Sequence, residues 1–561
     1  MLELFALSWR DVWAGEHEAG DVGVVYTKPE IVELILDLAG YRPDALRLST
    51  APLLEPSCGD GAFLNAVVRR LIESERLASG EVEWGNELLD RAIRAVDLSA
   101  AAVSAAQKSI ATLLVDAGCP KLRARQLSKK WAVEADFLLS PWEPEFAFVV
   151  GNPPYVRLED LPKRVLVEYR RRFATLTDRA DVYIAFFEQG LRLLRPDGVL
   201  AFICANRFAK NQYGTALRRV ISDRFRVRHY INLEHTQPFL SDVSAYPAIV
   251  TIDRKVGSAT LATTLSDVEP KTLESLRRQT TGTSKRGPMA RFAKWYPDGA
   301  PWSTTSRDEA QLLSSLSAEF SLIEDSGAAT KVGIGVATGA DGVFVLDAKH
   351  PEIEDDRQIP LAVSADVSPQ GIEWSGRYLV NPFDAEDSGK LVDLPSYPGL
   401  SAYLDSHRPA LSKRHVAEVR PRNWYRTIDR IWPKLTTTPK LLIPDIQLGG
   451  NVSLDVGEYY PHHNLYWITS GSWPLAALQA LMRSSHVLLQ IRAFSVQMRG
   501  GSVRYQAQTL RRVRIPLLSS LSAKQLAALS AAAQSSDLAE IDEAASSAFG
   551  FAAPSVGAAS A

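Results

Sequence analysis

The chain has 561 residues, 46% of them hydrophobic and 23% charged, with a mean hydropathy of -0.08. That composition excludes disordered, collagen-like and membrane-embedded classes, and three cysteines (Cys58, Cys119, Cys204) without paired spacing exclude a disulfide framework or a zinc knuckle. The net charge of -2 argues at first sight against a polyanionic partner.

The length predicts about three or four packing units. Met1 to Trp13 carry no cleavable signal pattern, and no apolar run approaches the roughly 20 residues of a membrane span, so a cytoplasmic location is expected. From Val24 to about Ile252, short apolar runs alternate with helix-period segments, the pattern of a doubly wound α/β domain. The expected strands are Ala51–Leu54, Arg94–Val96, Phe146–Val150, Val199–Cys204 and Ala248–Ile252. The expected helices are Pro29–Ala39, Ala62–Ile72, Ala100–Leu114, Val182–Leu194 and Tyr213–Ile221. Thr280–Ser306 reads as linker. Beyond it come short strands in a mixed α+β pattern: Lys331–Val336, Gly342–Leu346, Arg377–Val380, Lys440–Ile446 and Leu465–Thr469. One helix, Ser522 to Phe549, is expected to close the fold, with Ala552–Ala561 a frayed tail.

The sharpest chemical signal is Val149-Val150-Gly151-Asn152-Pro153-Pro154-Tyr155, an apolar strand running into a rigid turn. Pro153 and Pro154 fix φ at successive positions and remove two backbone donors. The Asn152 side-chain oxygen and the Pro153 carbonyl can then accept both hydrogens of one amino group. Such a pair would localise the delocalised lone pair of a heteroaromatic amine and aim it at an electrophile, while Tyr155 offers a ring face for stacking. In a doubly wound sheet, ligand sites lie beyond the carboxyl ends of strands, where Asn152 is placed.

Upstream, Leu53 to Leu64 reads as strand, glycine turn and helix start. Gly59 and Gly61 allow close approach of a ligand, and the helix N-terminus favours a carboxylate. Asp97 ends the next strand, placed to accept ribose hydroxyls, and Asp136 stands at a third strand end. No Lys followed by Ser or Thr lies between Gly59 and Phe63, which disfavours a phosphate loop. These acids, in order ahead of Asn152, point to a nucleoside-type cofactor.

The set resembles the amino (N6-adenine) DNA methyltransferases of type II restriction-modification systems, in the γ order: cofactor motifs, catalytic motif, then target-recognition domain. The resemblance implies S-adenosyl-L-methionine as cofactor, with Thr27 of Tyr26-Thr27-Lys28-Pro29 at its carboxylate, Glu55, Gly59 and Gly61 around its methionine part, Asp97 at the ribose, Asp136 and Phe137 at the adenine, and Phe186 as a pocket wall. It also implies Asn152, Pro153, Pro154 and Tyr155 as the catalytic loop. Phe239, preferred over Tyr246, would be a second stacking face for an adenine rotated out of the duplex. The implied division is an N-terminal segment 1–20, a Rossmann-like catalytic domain 21–255, a linker 256–330, a recognition domain 331–518 and a C-terminal helix and tail 519–561. Thr338 to Phe344 and Arg511 to Leu517 resemble landmarks of the recognition domain.

Charge supports a DNA partner. Between residues 401 and 514 there are 16 Lys and Arg against 6 Asp and Glu, a local excess of ten positive charges hidden in the near-neutral total. Within it Arg426, Arg492, Arg499 and Arg504 interleave with aromatics and glycines and are the expected contacts to double-stranded DNA. His462-His463 stands apart from Cys and acidic partners at ligand spacing, so no metal is expected and a surface or packed role is assigned. A monomer is expected, paired in its system with a separate cognate restriction endonuclease that need not bind it.

Three other readings compete. A methyltransferase acting on a protein glutamine or an RNA amine would share the Asn-Pro-Pro-Tyr loop but be more compact. A decayed specificity subunit is opposed by the intact Asn152, Tyr155, Gly59, Gly61 and Asp97. In a fused nuclease, Asp253 with Glu269-Pro270-Lys271 would imitate a metal-nuclease pattern.

Overall fold

The computed structural model describes residues 8–14, 25–143, 145–177, 180–241, 246–256, 259–280, 287–292, 299, 301–302, 307–326, 328–384, 389–495 and 502–554. It divides into two compact units, residues 1–307 and 308–561.

The first unit is built on a nine-stranded sheet. Its strands are β1 (Leu53–Glu55), β2 (Ile93–Asp97), β3 (Ala132–Glu134), β4 (Phe146–Gly151), β5 (Leu194–Ala205), β6 (Arg226–Asn232), β7 (Pro247–Asp253), β8 (Thr260–Thr264) and β9 (Ala290–Phe292). They lie in the order β3-β2-β1-β4-β5-β7-β6-β8-β9. β3 through β5 run parallel, β7 runs antiparallel to both neighbours, β8 is parallel to β6, and β9 closes the edge antiparallel. This is the expected doubly wound, Rossmann-like fold.

β4 and the stretch 199–205 of β5 are apolar throughout because both faces are covered. Side chains on β5 alternate: Val199, Ala201 and Ile203 enter one core and Leu200, Phe202 and Cys204 the other. Helices Pro29–Ala39, Ala62–Ser79, Ala100–Asp116 and Lys121–Trp131 cover the first face, and Lys163–Arg172, Tyr183–Leu193 and Thr215–Arg224 the second. The order reverses at β1, which has β2 on one side and β4 on the other. That reversal opens a crevice at the carboxyl ends of β1 and β4.

Two boundaries differ from expectation. The linker 256–330 contains β8, the helix Pro270–Thr280 and β9, so the sheet continues well past residue 255. The Thr-rich stretch Thr260–Thr264 reads as a connector, yet Thr260 and Ala262 are buried against β6. The terminal helix is two, Ala523–Ala532 and Leu538–Phe549, broken where Asp537 takes the Ala539 N–H at 2.9 Å as a new N-cap. Arg499 and most of the tail fall outside the described residues.

The second unit holds an antiparallel sheet of Lys331–Ile334, Leu465–Thr469, Lys440–Pro444 and Ser453–Asp455, in that order. Its core is shared with helices Leu475–Arg483, Ser485–Phe494, Ala523–Ala532 and Leu538–Phe549. A second four-stranded sheet joins Val345–Leu346, Tyr378–Val380, Gln358–Ala362 and Tyr460–Pro461. Of the expected strand Gly342–Leu346 only Val345–Leu346 is strand, the preceding Asp341–Phe344 being a helical turn. Among the described residues no helix is long and apolar enough to cross a membrane.

Candidate active site

β1 and β4 pair with Leu53 beside Phe148 and Leu54 beside Val149, which brings Glu55 and Gly151 to the same end of the sheet. A Cβ on Gly151 would stand 3.7 Å from the Glu55 side chain. Asn152 follows directly, and Ser57 donates its hydroxyl to the Asn152 carbonyl at 2.9 Å.

The Asn152 amide nitrogen donates to the Val25 carbonyl at 2.9 Å and faces Thr27 Oγ1 at 3.4 Å. Because a carbonyl only accepts, this contact fixes which way the amide points. Asn152 Oδ1 is left buried without a partner, as is the hydroxyl of Tyr155. Val25 and Thr27 are held in place by backbone pairing: Lys28 N–H donates to Pro238 O at 3.0 Å, Leu240 N–H to Tyr26 O at 2.9 Å, and Thr27 bridges Phe239.

That lacing sets Phe239 beside the loop, its ring centroid 6.3 Å from Tyr155 with planes at 66°. The two faces expected to sandwich a base are adjacent but not parallel, and Phe239 is buried in the core. Tyr246, the alternative, is half-buried and uses its carbonyl to accept from Asn206 N–H at 2.7 Å.

The glycine turn follows β1. Gly59 and Gly61 take φ of 53° and 101°, conformations that favour glycine, and Gly61 caps the helix Ala62–Ser79. Gly59 N–H donates to Asp97 Oδ2 at 2.8 Å and Ser99 N–H to Asp97 Oδ1 at 2.9 Å, so Asp97 ties the turn to the end of β2. Glu55 is fully buried and its Oε2 has no partner. Burial, with Asp97 and Asp60 nearby, pushes its carboxyl well above the usual range. Such a crevice favours a cation.

Asp136 departs from expectation. Its Oδ2 accepts from Trp13 Nε1 and the Tyr169 hydroxyl, each at 2.8 Å, and its Oδ1 from Leu138 and Leu139 N–H at 2.7 and 3.1 Å. Four donors saturate a carboxylate. Burial demands that satisfaction, so Asp136 is a brace between the helices Trp9–Trp13 and Lys163–Arg172 and has no free acceptor for an adenine amine. Phe137 and Phe186 pack at 5.1 Å as a buried aromatic wall. Trp13, Tyr169 and the Val25 carbonyl are contributors that local spacing could not reveal.

Beside the loop lies a recess of about 380 Å³ lined by Arg157, Arg170, Asp181, Arg207 and Tyr213 among others. Asp253, entertained as a nuclease acid, is buried in an ion pair with Arg226.

The expected DNA contacts separate. Arg426 turns back on the chain, donating to Thr427 O at 3.1 Å and Ile428 O at 3.3 Å. Arg492 lies half-buried on the helix Ser485–Phe494. Arg504 donates through Nε to both Asp445 oxygens at 3.2 and 3.1 Å, and Nη2 contacts the same carboxylate. The Arg504 charge is therefore neutralised where Ile446–Gln447 pairs with Val503–Arg504, a role within the fold. In the second landmark, Arg511 and Arg514 also turn inward, donating to Val332 O and Phe320 O, each at 2.6 Å.

A doubly wound sheet with this loop at its crevice defines a methyltransferase domain. The family described as Eco57I restriction-modification methylase matches residues 91–239. The chain is 43% identical over 497 residues to the type II methyltransferase M.PaeR7I of Pseudomonas aeruginosa, covering 88% of this chain and 86% of that protein. It is 42% identical over 500 residues to M.XhoI of Xanthomonas vasicola, covering 88% and 91%. The type IIL restriction-modification enzyme MmeI, solved in complex with DNA, shares the fold with a TM-score of 0.62 at 13% identity, over 94% of this chain and 74% of that one. The chain belongs to the type II methyltransferases of restriction-modification systems.

Proposed function

We propose that the protein transfers a methyl group from S-adenosyl-L-methionine to the N6 amine of an adenine extruded from a short duplex DNA sequence. The modification would protect that sequence from a separate cognate restriction endonuclease. The observation that carries this reading is Asn152 Oδ1, a buried acceptor without a partner at the carboxyl end of β4. A buried polar atom left unmet costs about 1–3 kcal/mol, which an incoming amine would recover.

Glu55 supplies the test of fit for the cofactor: an unpaired buried carboxylate oxygen in an acidic crevice suits a ligand bearing an ammonium and a sulfonium. Thr27, Glu55, Gly59, Gly61, Asp97, Phe137 and Phe186 would hold it. When bound, the cofactor supplies an electrophilic methyl group.

The chain's residues position the other reactant. Asn152 Oδ1 and the Pro153 carbonyl accept the two amine hydrogens and direct the nitrogen lone pair, and positioning of this kind supplies much of the rate. The base must leave the stack at a cost of a few kcal/mol. To hold it, Tyr155 and Phe239 must turn parallel and stand roughly 7 Å apart, two contact distances of about 3.5 Å. Arg157, Arg170 and Arg207 beside the loop suit the flanking phosphates.

The test is nucleoside mass spectrometry of duplex DNA incubated with the protein and isotopically labelled cofactor. Label in N6-methyladenine is expected. Label confined to a cytosine, to protein or to RNA would reject the reading.

A further inference from the structure

His462 and His463 precede the strand Leu465–Thr469, and the acid their spacing lacks arrives from 121 residues upstream. Val336 N–H donates to Pro461 O at 2.9 Å, His463 N–H to Val336 O at 3.0 Å, and Val336 bridges His462. The turn after Lys331–Ile334 is thereby laid against the histidine pair, and Asp341 reaches it. His462 Nε2 lies 3.2 Å from Asp341 Oδ2 and 3.1 Å from His463 Nδ1. One donor atom from each residue lies within 4.8 Å of the others.

Hydrogen bonding alone serves this cluster poorly. His462 Nε2 carries one hydrogen or one lone pair, yet it faces both a carboxylate, which only accepts, and a second imidazole nitrogen. A cation among them meets all three lone pairs at once. Ligands bound at about 2.0–2.1 Å around zinc stand roughly 3.0–3.4 Å apart, the spacing of the two short contacts. The other Asp341 oxygen accepts from the Thr338 hydroxyl, an outer bond of the kind that orients a liganding carboxylate. His462 is buried while the Asp341 side chain is 50% exposed, so water can complete the coordination.

We propose that Asp341, His462 and His463 form a binding site for a divalent transition-metal ion, with imidazole ligands favouring zinc, nickel or cobalt over magnesium. The ion clips the turn Val336–Asp341 to the segment His462–His463. That turn also supports the arginine-bearing segment beside it: Ile428 N–H donates to Thr338 O at 3.1 Å and Ala337 N–H to Asp429 Oδ2 at 2.9 Å. The site is independent of the methyl-transfer reading.

The experiment uses untagged full-length protein stripped with chelator, then titrated with zinc chloride alone by calorimetry and with cobalt(II) by visible absorption. One equivalent is expected per chain. Asp341→Asn, a change at a half-exposed side chain, should weaken binding at least tenfold, and His463→Ala should abolish the cobalt spectrum. Circular dichroism must show both variants folded; if His463→Ala is not, Asp341→Asn alone decides. No uptake by the unaltered protein, or uptake unchanged in the folded variants, would overturn the proposal.

Discussion

The Asn152 side-chain nitrogen donates to the Val25 carbonyl at 2.9 Å across 127 residues of sequence, and that bond leaves the amide oxygen buried without a partner at the carboxyl end of β4. If this oxygen aligns the target amine, Asn152→Ala should lower turnover by roughly 10²–10³-fold or more, the usual effect of deleting one transition-state contact. Cofactor affinity should stay within about tenfold, because the contact is made to the other reactant. Thr27→Val removes the 3.4 Å contact and keeps the carbonyl tether, so at saturating cofactor its effect on turnover should be a few-fold at most. Loss of a hydroxyl that would hold the cofactor should weaken cofactor binding. Single-turnover rates and cofactor titrations on both variants separate these outcomes.

Glu55 predicts the pH dependence of cofactor binding. Burial, with Asp97 and Asp60 nearby, raises its carboxyl well above the ordinary range, so the fold favours the protonated form. The linked stability is present in acid and lost as pH rises through the folded value. A cationic ligand favours the carboxylate, so its affinity should rise with pH through the same window, with a proton released on binding. Calorimetry in two buffers of different ionisation heat reads that proton. A pH slope that persists in Glu55→Gln would refute the assignment.

Phe239 and Tyr246 make opposite predictions. The Phe239 ring stands 6.3 Å from Tyr155, whereas Tyr246 accepts a hydrogen bond from Asn206 N–H through its backbone carbonyl. A base stacked on an aromatic ring gains about 1–3 kcal/mol. Phe239→Ala should therefore cost roughly 10–100-fold in the rate on DNA and reduce the fluorescence rise of 2-aminopurine placed at the target base. Tyr246→Ala should leave both within a few-fold, and the reverse pattern would exchange their roles.

The legible parts of this molecule are those whose cause is local. Pro29–Ala39 is bounded as its sequence dictates, with Pro29 at the first helical position and Gly40 at φ 87° beyond the last. The loop proposed to be catalytic is legible because one heptapeptide, Val149 to Tyr155, carries both the acceptors and the ring. β6 escapes because Arg226, Arg228 and His229 give it a polar look, although Val227 and His229 to Asn232 are buried. The saturation of Asp136 by Trp13 and Tyr169, the Val25 tether, and the meeting of Asp341 with His462 are contacts between distant positions, which leave no periodic trace.

The arginines of the second unit should divide by how their charge is met. Arg504 is paired with Asp445, whereas Arg426 donates to the neutral carbonyls of Thr427 and Ile428. If Arg426 lies on phosphate, Arg426→Ala should reduce the slope of log K against log salt for DNA binding by about one. Arg504→Ala should leave that slope unchanged and cost less than about 1 kcal/mol in stability, since the pair is 41% exposed on the arginine side. Equal salt slopes for the two variants would count against the distinction.

Lys440 and Asp455 form an ion pair with neither side chain exposed, their charged atoms 2.6 Å apart. Lys440 also donates to the carbonyls of Leu435, Thr436 and Thr438 at 2.9, 3.2 and 3.1 Å, and burial lowers its pKa. Desolvation offsets much of the attraction in such a pair, but removing one partner strands the other charge in the interior. Lys440→Met or Asp455→Leu alone should each destabilise the second unit by about 3–5 kcal/mol in denaturant unfolding. The double replacement should cost less than the sum of the two. It should not return to the starting stability, because Asp455 also accepts from Gly457 and Glu458 N–H at 3.1 and 2.9 Å and so holds the turn after its strand. Strict additivity would show that the two charges are not coupled.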